Sequence, residues 1–197
     1  MEKKKVVVMI PTYNERENIG PLIESLLKIN SDLDLTILIV DDNSPDGTAS
    51  IVQEIASKNP RVNLLLRTKR RGRGTAGAAG FQAALKLNPD YVIEMDGDGS
   101  HQPASIPELI KAAAEADIVL GSRYVPGGQD SERSFWRRLI TWLVRLFIRW
   151  QFRLPVKDVS SGFRCFRSEA LRTIDPEDLI STGPSIVLEV PVSYTHL

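Results

Sequence analysis

VVVMIPTYNERENIGPLIESLLKINSDLDLTILIVDDNS, residues 6–44, contains two short β-branched runs with a helix-period segment between them. Val6 to Ile10 and Leu35 to Val40 are apolar and bounded by polar turn residues, the signature of strands. Between them Ile19, Leu22, Ile23, Leu26 and Leu27 recur at helical spacing over Glu17 to Ile29. Strands linked by a helix pair in parallel through a right-handed crossover. The alternation continues, with strands expected at Val62 to Leu66, Tyr91 to Met95 and Asp117 to Leu120, and helices at Thr48 to Ala56, Ala76 to Leu87 and Ile106 to Ala114. The fold class is therefore α/β and Rossmann-like: a mainly parallel central sheet with helices on both faces. Its ligand crevice belongs outside the C-terminal ends of the strands.

Read in order, those ends carry Pro11-Thr-Tyr-Asn-Glu15, Asp41-Asp-Asn-Ser44, a basic loop from Arg67 to Arg73, Asp96-Gly-Asp-Gly99 and Gly121-Ser-Arg-Tyr124. All are polar or charged. Any one acidic strand end is often a turn residue or helix cap, so the weight lies in the set.

The bulk composition narrows the function classes. A chain of 197 residues, 42% hydrophobic and 25% charged, is sized for one globular domain, expected to span 1–197. Its 25 basic and 25 acidic residues balance, which argues against a general polyanion binder, and no nucleic-acid partner is expected. Cys165 is the single cysteine, so no internal disulfide forms, in keeping with a cytoplasmic setting. Lys3 to Lys5 precede an apolar run that stops at Pro11, too short for a signal peptide, and no stretch approaches the ~18 apolar residues of a membrane-spanning helix.

Asp96 and Asp98 follow an apolar strand, and Gly97 and Gly99 let the backbone turn so that both carboxylates face one point. Two such groups repel unless a cation joins them, and Mg²⁺ or Mn²⁺ suits hard oxygen ligands while leaving positions for phosphates. A solvated Gly-Asp turn is the plainer alternative. Asp42 can accept hydrogen bonds from a base or ribose, or cap the following helix; Asp46 reads as a turn residue. Arg123 stands where its planar fork could take a phosphate. His101, beside the Asp pair, could be a metal ligand but, alone and without further ligand spacing, reads rather as a loop histidine. Gly72-Arg-Gly-Thr-Ala-Gly77 fits the dinucleotide fingerprint G-x-G-x-x-G, but a basic loop separates it from its strand and it is not in the first βαβ unit. A glycine loop approaching a diphosphate fits it equally well. In 134–153, Phe135, Leu139, Trp142, Leu143, Leu146 and Trp150 share one helical face flanked by Arg138, Arg145 and Arg149. This basic amphipathic helix is expected at a membrane interface, although the same pattern also suits packing on the sheet or a dimer seam.

Together, Pro-Thr-Tyr-Asn-Glu (11–15), Val-Asp-Asp-Asn-Ser (40–44), Met-Asp-Gly-Asp (95–98), Gly-Ser-Arg-Tyr (121–124) and Ser-Gly-Phe-Arg (161–164) resemble the polyprenyl-phosphate (dolichol-phosphate) mannosyltransferases. The resemblance runs from residue 6 to about 189. It implies an inverting glycosyltransferase of GT-A fold that moves a sugar, mannose from GDP-mannose, onto a polyprenyl phosphate. It further implies that Pro11, Tyr13, Glu15 and Asp42 contact the nucleotide-sugar, Asp96 and Asp98 the divalent cation, and Arg123 and Arg137 the acceptor phosphate. Asp96, Asp98 and Arg123 would then be catalytic, and the enzyme would sit peripherally on the cytoplasmic face of a membrane. Two features depart from the family: Ser100 stands where a glutamine is common, and the sequence stops where the family continues past Glu189, which reads as truncation. Other nucleotide-sugar transferases, a non-catalytic nucleotide-sugar binder and a dinucleotide oxidoreductase are the alternatives.

Overall fold

The computed structural model describes residues 3–29, 32–69, 72–122 and 161–174, with 176 and 183. Arg123, Arg137 and the expected helix 134–153 lie outside the described residues. The strands are β1 (Lys4–Thr12), β2 (Leu33–Asp41), β3 (Val62–Leu66), β4 (Tyr91–Glu94), β5 (Ile118–Leu120) and β6 (Arg164–Arg167). The helices are α1 (Arg16–Leu27), α2 (Thr48–Lys58), α3 (Arg73–Lys86), α4 (Ile106–Ala112) and α5 (Ser168–Ile174), with a 3₁₀ turn at Pro103–Ser105 before α4.

The strands form one sheet in the order β3-β2-β1-β4-β6-β5. β1, β2, β3 and β4 run parallel, each linked by a helix. The order runs outward from β1 to β3 and then returns to β4 on β1's other side, so a topological switch point lies between the ends of β1 and β4.

Strict parallel pairing fails at one edge. β5 does not lie against β4; β6, from later in the chain, stands between them and is antiparallel to both. β6 is a run of four residues with arginine at each end, a weak strand signal in sequence. Its register explains how it is tolerated: Arg164 sits directly opposite Glu94 of β4, with Arg164 Nη2 2.7 Å from Glu94 Oε2. Both side chains are buried, so a slipped register would leave two unmatched charges in the core.

Alternate residues of each strand serve opposite faces, as the pleat requires. On one face Val6, Val8, Ile10, Ile37, Ile39 and Ile93 pack under α1, α2 and α4, through Ile19, Ile23, Leu26, Val52, Ile106 and Leu109. On the other Val7, Met9, Leu38, Val40, Val92 and Phe166 meet α3 and α5 through Ala76, Phe81, Ala84, Leu171 and Ile174. α3 presses closely against the sheet at Gly80, where an added Cβ would come within 2.7 Å of Met9 Sδ. Cys165, inside the first of these layers, has its thiol pushed up to about 12 by burial. No helix among the described residues is long and apolar enough to cross a membrane.

α3 begins at Arg73, three residues ahead of the expected Ala76. The Gly72 carbonyl accepts both the Ala76 N–H and the Thr75 hydroxyl, so the glycine-rich stretch is the first helical turn rather than a loop before it.

Candidate active site

Past the end of β1 the chain turns at Asn14, in the left-handed region at φ 61°. The Asn14 N–H donates to Ser44 Oγ and the Glu15 N–H to Thr48 Oγ1, binding this turn to the one after β2. Asp41 joins them from beneath: its buried carboxylate accepts from Thr12 Oγ1, the Ser44 N–H and Ser44 Oγ, at 3.0, 2.9 and 2.6 Å. Asp46 accepts from the Thr48 N–H and hydroxyl and from the Arg16 N–H, so its carboxylate ties α1 to α2. Hydrogen bonding by Thr48 lowers its pKa, outweighing the desolvation. These two acids are structural, and they hold the upper rim rigid.

Asp42 points the other way. One carboxylate oxygen accepts from Arg67 Nη1 at 2.5 Å and the other from the Gly72 N–H at 2.8 Å, while Arg67 Nη2 donates to Thr75 Oγ1. The basic loop and the start of α3 are thereby anchored to the end of β2. Each Asp42 oxygen keeps acceptor capacity toward a ligand. The N–H of Gly72, the first glycine of the G-x-G-x-x-G match, is already given to a side chain of the protein's own.

Asp96 and Asp98 leave the end of β4. Asp96 pairs with Arg73 from the first turn of α3, and its N–H donates to His101 Nδ1 at 3.1 Å. His101 stacks on Phe163 with ring centroids 5.1 Å apart, and its Nε2 faces the Asp96 carboxylate at 3.7 Å. With Nδ1 accepting, hydrogen-bonding logic puts the ring proton on Nε2. His101 therefore orients Asp96. At Asp98 burial pushes the carboxyl up, but the hydrogen bonds from Ser100 prevail and hold its pKa below the usual value.

Gly162 completes the floor. A Cβ there would lie 2.6 Å from Asp96 Oδ2 and 3.0 Å from Arg73 Nη2, so the carboxylate and guanidinium rest against bare backbone. Beneath them the Glu94–Arg164 pair is fully buried. Burial pushes the Glu94 carboxyl up, against the pull of Arg164 and Arg73.

Pro11, Tyr13, Glu15, Asp42, Asp96 and Asp98, all singled out from sequence, line one open cavity of about 490 Å³, together with Gly72, Arg73 and Ala76. Tyr13 is 52% exposed at the cavity it lines. Arg123 and Arg137 fall outside the described residues. The Arg73–Asp96 pair, the roles of Gly162 and His101, and the Glu94–Arg164 pair emerge only from the fold. The last had half a signal, Glu94 at the end of an otherwise apolar strand, with no partner marked in sequence.

The residues fit a divalent cation. Among the described residues no cluster of three or more His, Cys, Asp or Glu could enclose a metal. Two hard carboxylates opening on a cavity suit Mg²⁺ or Mn²⁺, which typically completes its shell with water and substrate phosphates.

Residues 7–175 match the family described as glycosyl transferase family 2. An undecaprenyl-phosphate mannosyltransferase of Micrococcus luteus is 40% identical, the alignment covering 98% of this chain and 84% of that protein. A polyprenol monophosphomannose synthase of Mycolicibacterium smegmatis is 38% identical, covering 98% of this chain and 78% of the relative. Among solved structures, glucosyl-3-phosphoglycerate synthase from Mycobacterium tuberculosis in complex with UDP superposes with a TM-score of 0.68 at 18% identity. That alignment takes in 95% of this chain but only 64% of the solved one, and it bears on the fold alone. The same synthase has also been crystallised with Mn²⁺, UDP-glucose and phosphoglyceric acid.

Proposed function

We propose a reaction from a plain premise: the chain belongs to glycosyl transferase family 2 and is a glycosyltransferase. It transfers mannose from GDP-mannose to a polyprenyl phosphate, with inversion at the anomeric carbon. The observation that carries this reading is the convergence of three strand ends on one cavity at the switch point, in a chain aligned along nearly its whole length with lipid-phosphate mannosyltransferases.

In this reading Pro11, Tyr13, Glu15 and Asp42 hold the nucleoside, with the exposed Tyr13 ring against the base. Asp96 and Asp98 would hold the cation, which when bound would supply positive charge against that developing on a departing diphosphate. An oxygen of the acceptor phosphate attacks the anomeric carbon, the bond to the diphosphate breaks on the opposite side, and the configuration inverts. A phosphate monoester has its second pKa near ~6 and is already largely dianionic at neutral pH, so the protein supplies position and charge screening rather than a general base. Arg123 and Arg137 take the acceptor phosphate, and the 134–153 segment meets the lipid interface on the cytoplasmic face of the membrane.

The test is transfer of radiolabelled mannose from GDP-mannose to a short polyprenyl phosphate, with Mn²⁺ and with chelator. Metal-dependent lipid-linked product is expected. GDP binding without product would redirect the assignment to another sugar or acceptor.

Gly162→Ala should uncouple fold from function. The added methyl meets the far ends of two side chains rather than backbone, so the protein folds while the Asp96 carboxylate moves. Turnover should fall about tenfold to a hundredfold, since displacing a positioning group by ~1 Å costs that much. Steady-state transfer rates beside a thermal melt would check it, and wild-type turnover would show that Asp96 tolerates displacement.

A further inference from the structure

Arg73 and a divalent cation lay claim to the same carboxylate. We propose that Arg73 is a built-in counter-ion that holds the cation's place at Asp96 and competes with the incoming cation. A nucleoside diphosphate would draw it away, so that cation and donor bind cooperatively. The inference rests on the reading of Asp96 and Asp98 as the cation's ligands.

The geometry is specific to this pair. Arg73 begins α3, Asp96 follows β4, and the two meet across the cavity floor. A Cβ on Gly162 would lie 2.6 and 3.0 Å from the two Asp96 oxygens and 3.0 Å from Arg73 Nη2, so the pair has only bare backbone beside it there. The backbone under Arg73 is fixed, because the Gly72 N–H is held by Asp42 and the Thr75 hydroxyl by the Gly72 carbonyl. Movement is therefore confined to the Arg73 side chain, which is 37% exposed and lines the cavity.

Charge then dictates the order of events. With Arg73 in place, half of the Asp96–Asp98 charge is already neutralised, and a dication entering beside a guanidinium meets repulsion on the carboxylate they share. Arg73 needs another anion before it can leave Asp96. A diphosphate in the cavity provides one, and the planar fork of arginine suits phosphate oxygens. Each ligand thereby assists the other, and linkage makes that assistance reciprocal.

The test is titration with Mn²⁺, following free Mn²⁺ by electron paramagnetic resonance, with and without GDP. Arg73→Met, which keeps bulk and loses charge, should bind Mn²⁺ alone about tenfold more tightly than wild type. Arg73→Lys should stay as weak as wild type, and Asp96→Asn should abolish binding in either background. With saturating GDP the advantage of Arg73→Met should vanish. If wild type and Arg73→Met bind Mn²⁺ equally well without nucleotide, and both lose it with Asp96→Asn, Arg73 is no competitor although the cation assignment stands. If none of the proteins binds Mn²⁺ with or without GDP, the cation assignment fails and the proposal with it.

Discussion

Asp98→Asn should leave a folded protein whose sugar transfer, at saturating Mn²⁺, is slower by roughly a hundredfold to a thousandfold, the usual effect of removing one group that stabilises transition-state charge. The Asp98 carboxylate accepts from the Ser100 N–H at 3.0 Å, and an asparagine oxygen accepts the same bond, so the turn keeps its shape. What is lost is a negative charge on the wall of the cavity. Turnover measured with urea unfolding separates the two effects: stability should change by no more than about 0.5 kcal/mol, as for exposed or half-exposed substitutions. Full transfer activity in Asp98→Asn would remove the carboxylate from the catalytic machinery. Asp96→Asn is a less clean probe because Asp96 also balances Arg73.

Arg164→Met should give the largest loss of stability. Arg164 and Glu94 are 0% and 1% exposed and face each other across the β4–β6 ladder. Removing one partner strands the other charge in the core, at a cost of about 3–5 kcal/mol. The same substitution combined with Glu94→Leu should recover most of the loss, because two apolar groups need no partner. Urea unfolding of both singles and the double closes the cycle. The deficit of Arg164→Met should also depend on pH. Burial raises the folded-state pKa of Glu94 above its ordinary 4.5, so the folded state holds the proton more tightly than the unfolded state. The deficit is therefore largest at high pH, where the stranded Glu94 is ionised, and shrinks as the pH falls through the raised folded-state pKa and Glu94 takes up a proton. A deficit unaffected by pH and by the second substitution would show that the two charges are not energetically coupled.

Much of this architecture was legible in the sequence because hydrophobic periodicity reports burial directly. Val62–Leu66 was bounded correctly, and β1 and β2 were found but extend by one or two residues into polar ends that the ladder still pairs. The crevice followed from topology, and six residues named for it do share a cavity. β6 escaped because its four residues acquire strand character only through partners distant in sequence: Glu94 opposite Arg164, and Phe166 edge-on to Phe81 at 5.3 Å. The division of labour between adjacent acids was illegible for a related reason. Asp41 and Asp42 are neighbours of one type on one strand end, yet the pleat sends Asp41 into the Thr12–Ser44 network and Asp42 to Arg67 and Gly72. His101 read as a loop residue, and it is one; its grip on the Asp96 N–H depends on a ring stack with Phe163, far away along the chain.

The central claim is that one cavity between the ends of β1 and β4 takes a nucleoside diphosphate and a divalent cation together. Crystals soaked with Mn²⁺ and GDP, measured at the manganese absorption edge, test it most directly. An anomalous peak bridging the carboxylates of Asp96 and Asp98 and the GDP phosphates is expected, with the base against Tyr13 and Arg73 turned from Asp96 toward phosphate. Mn²⁺ or GDP bound away from that cavity, with the Arg73–Asp96 pair intact, would contradict it.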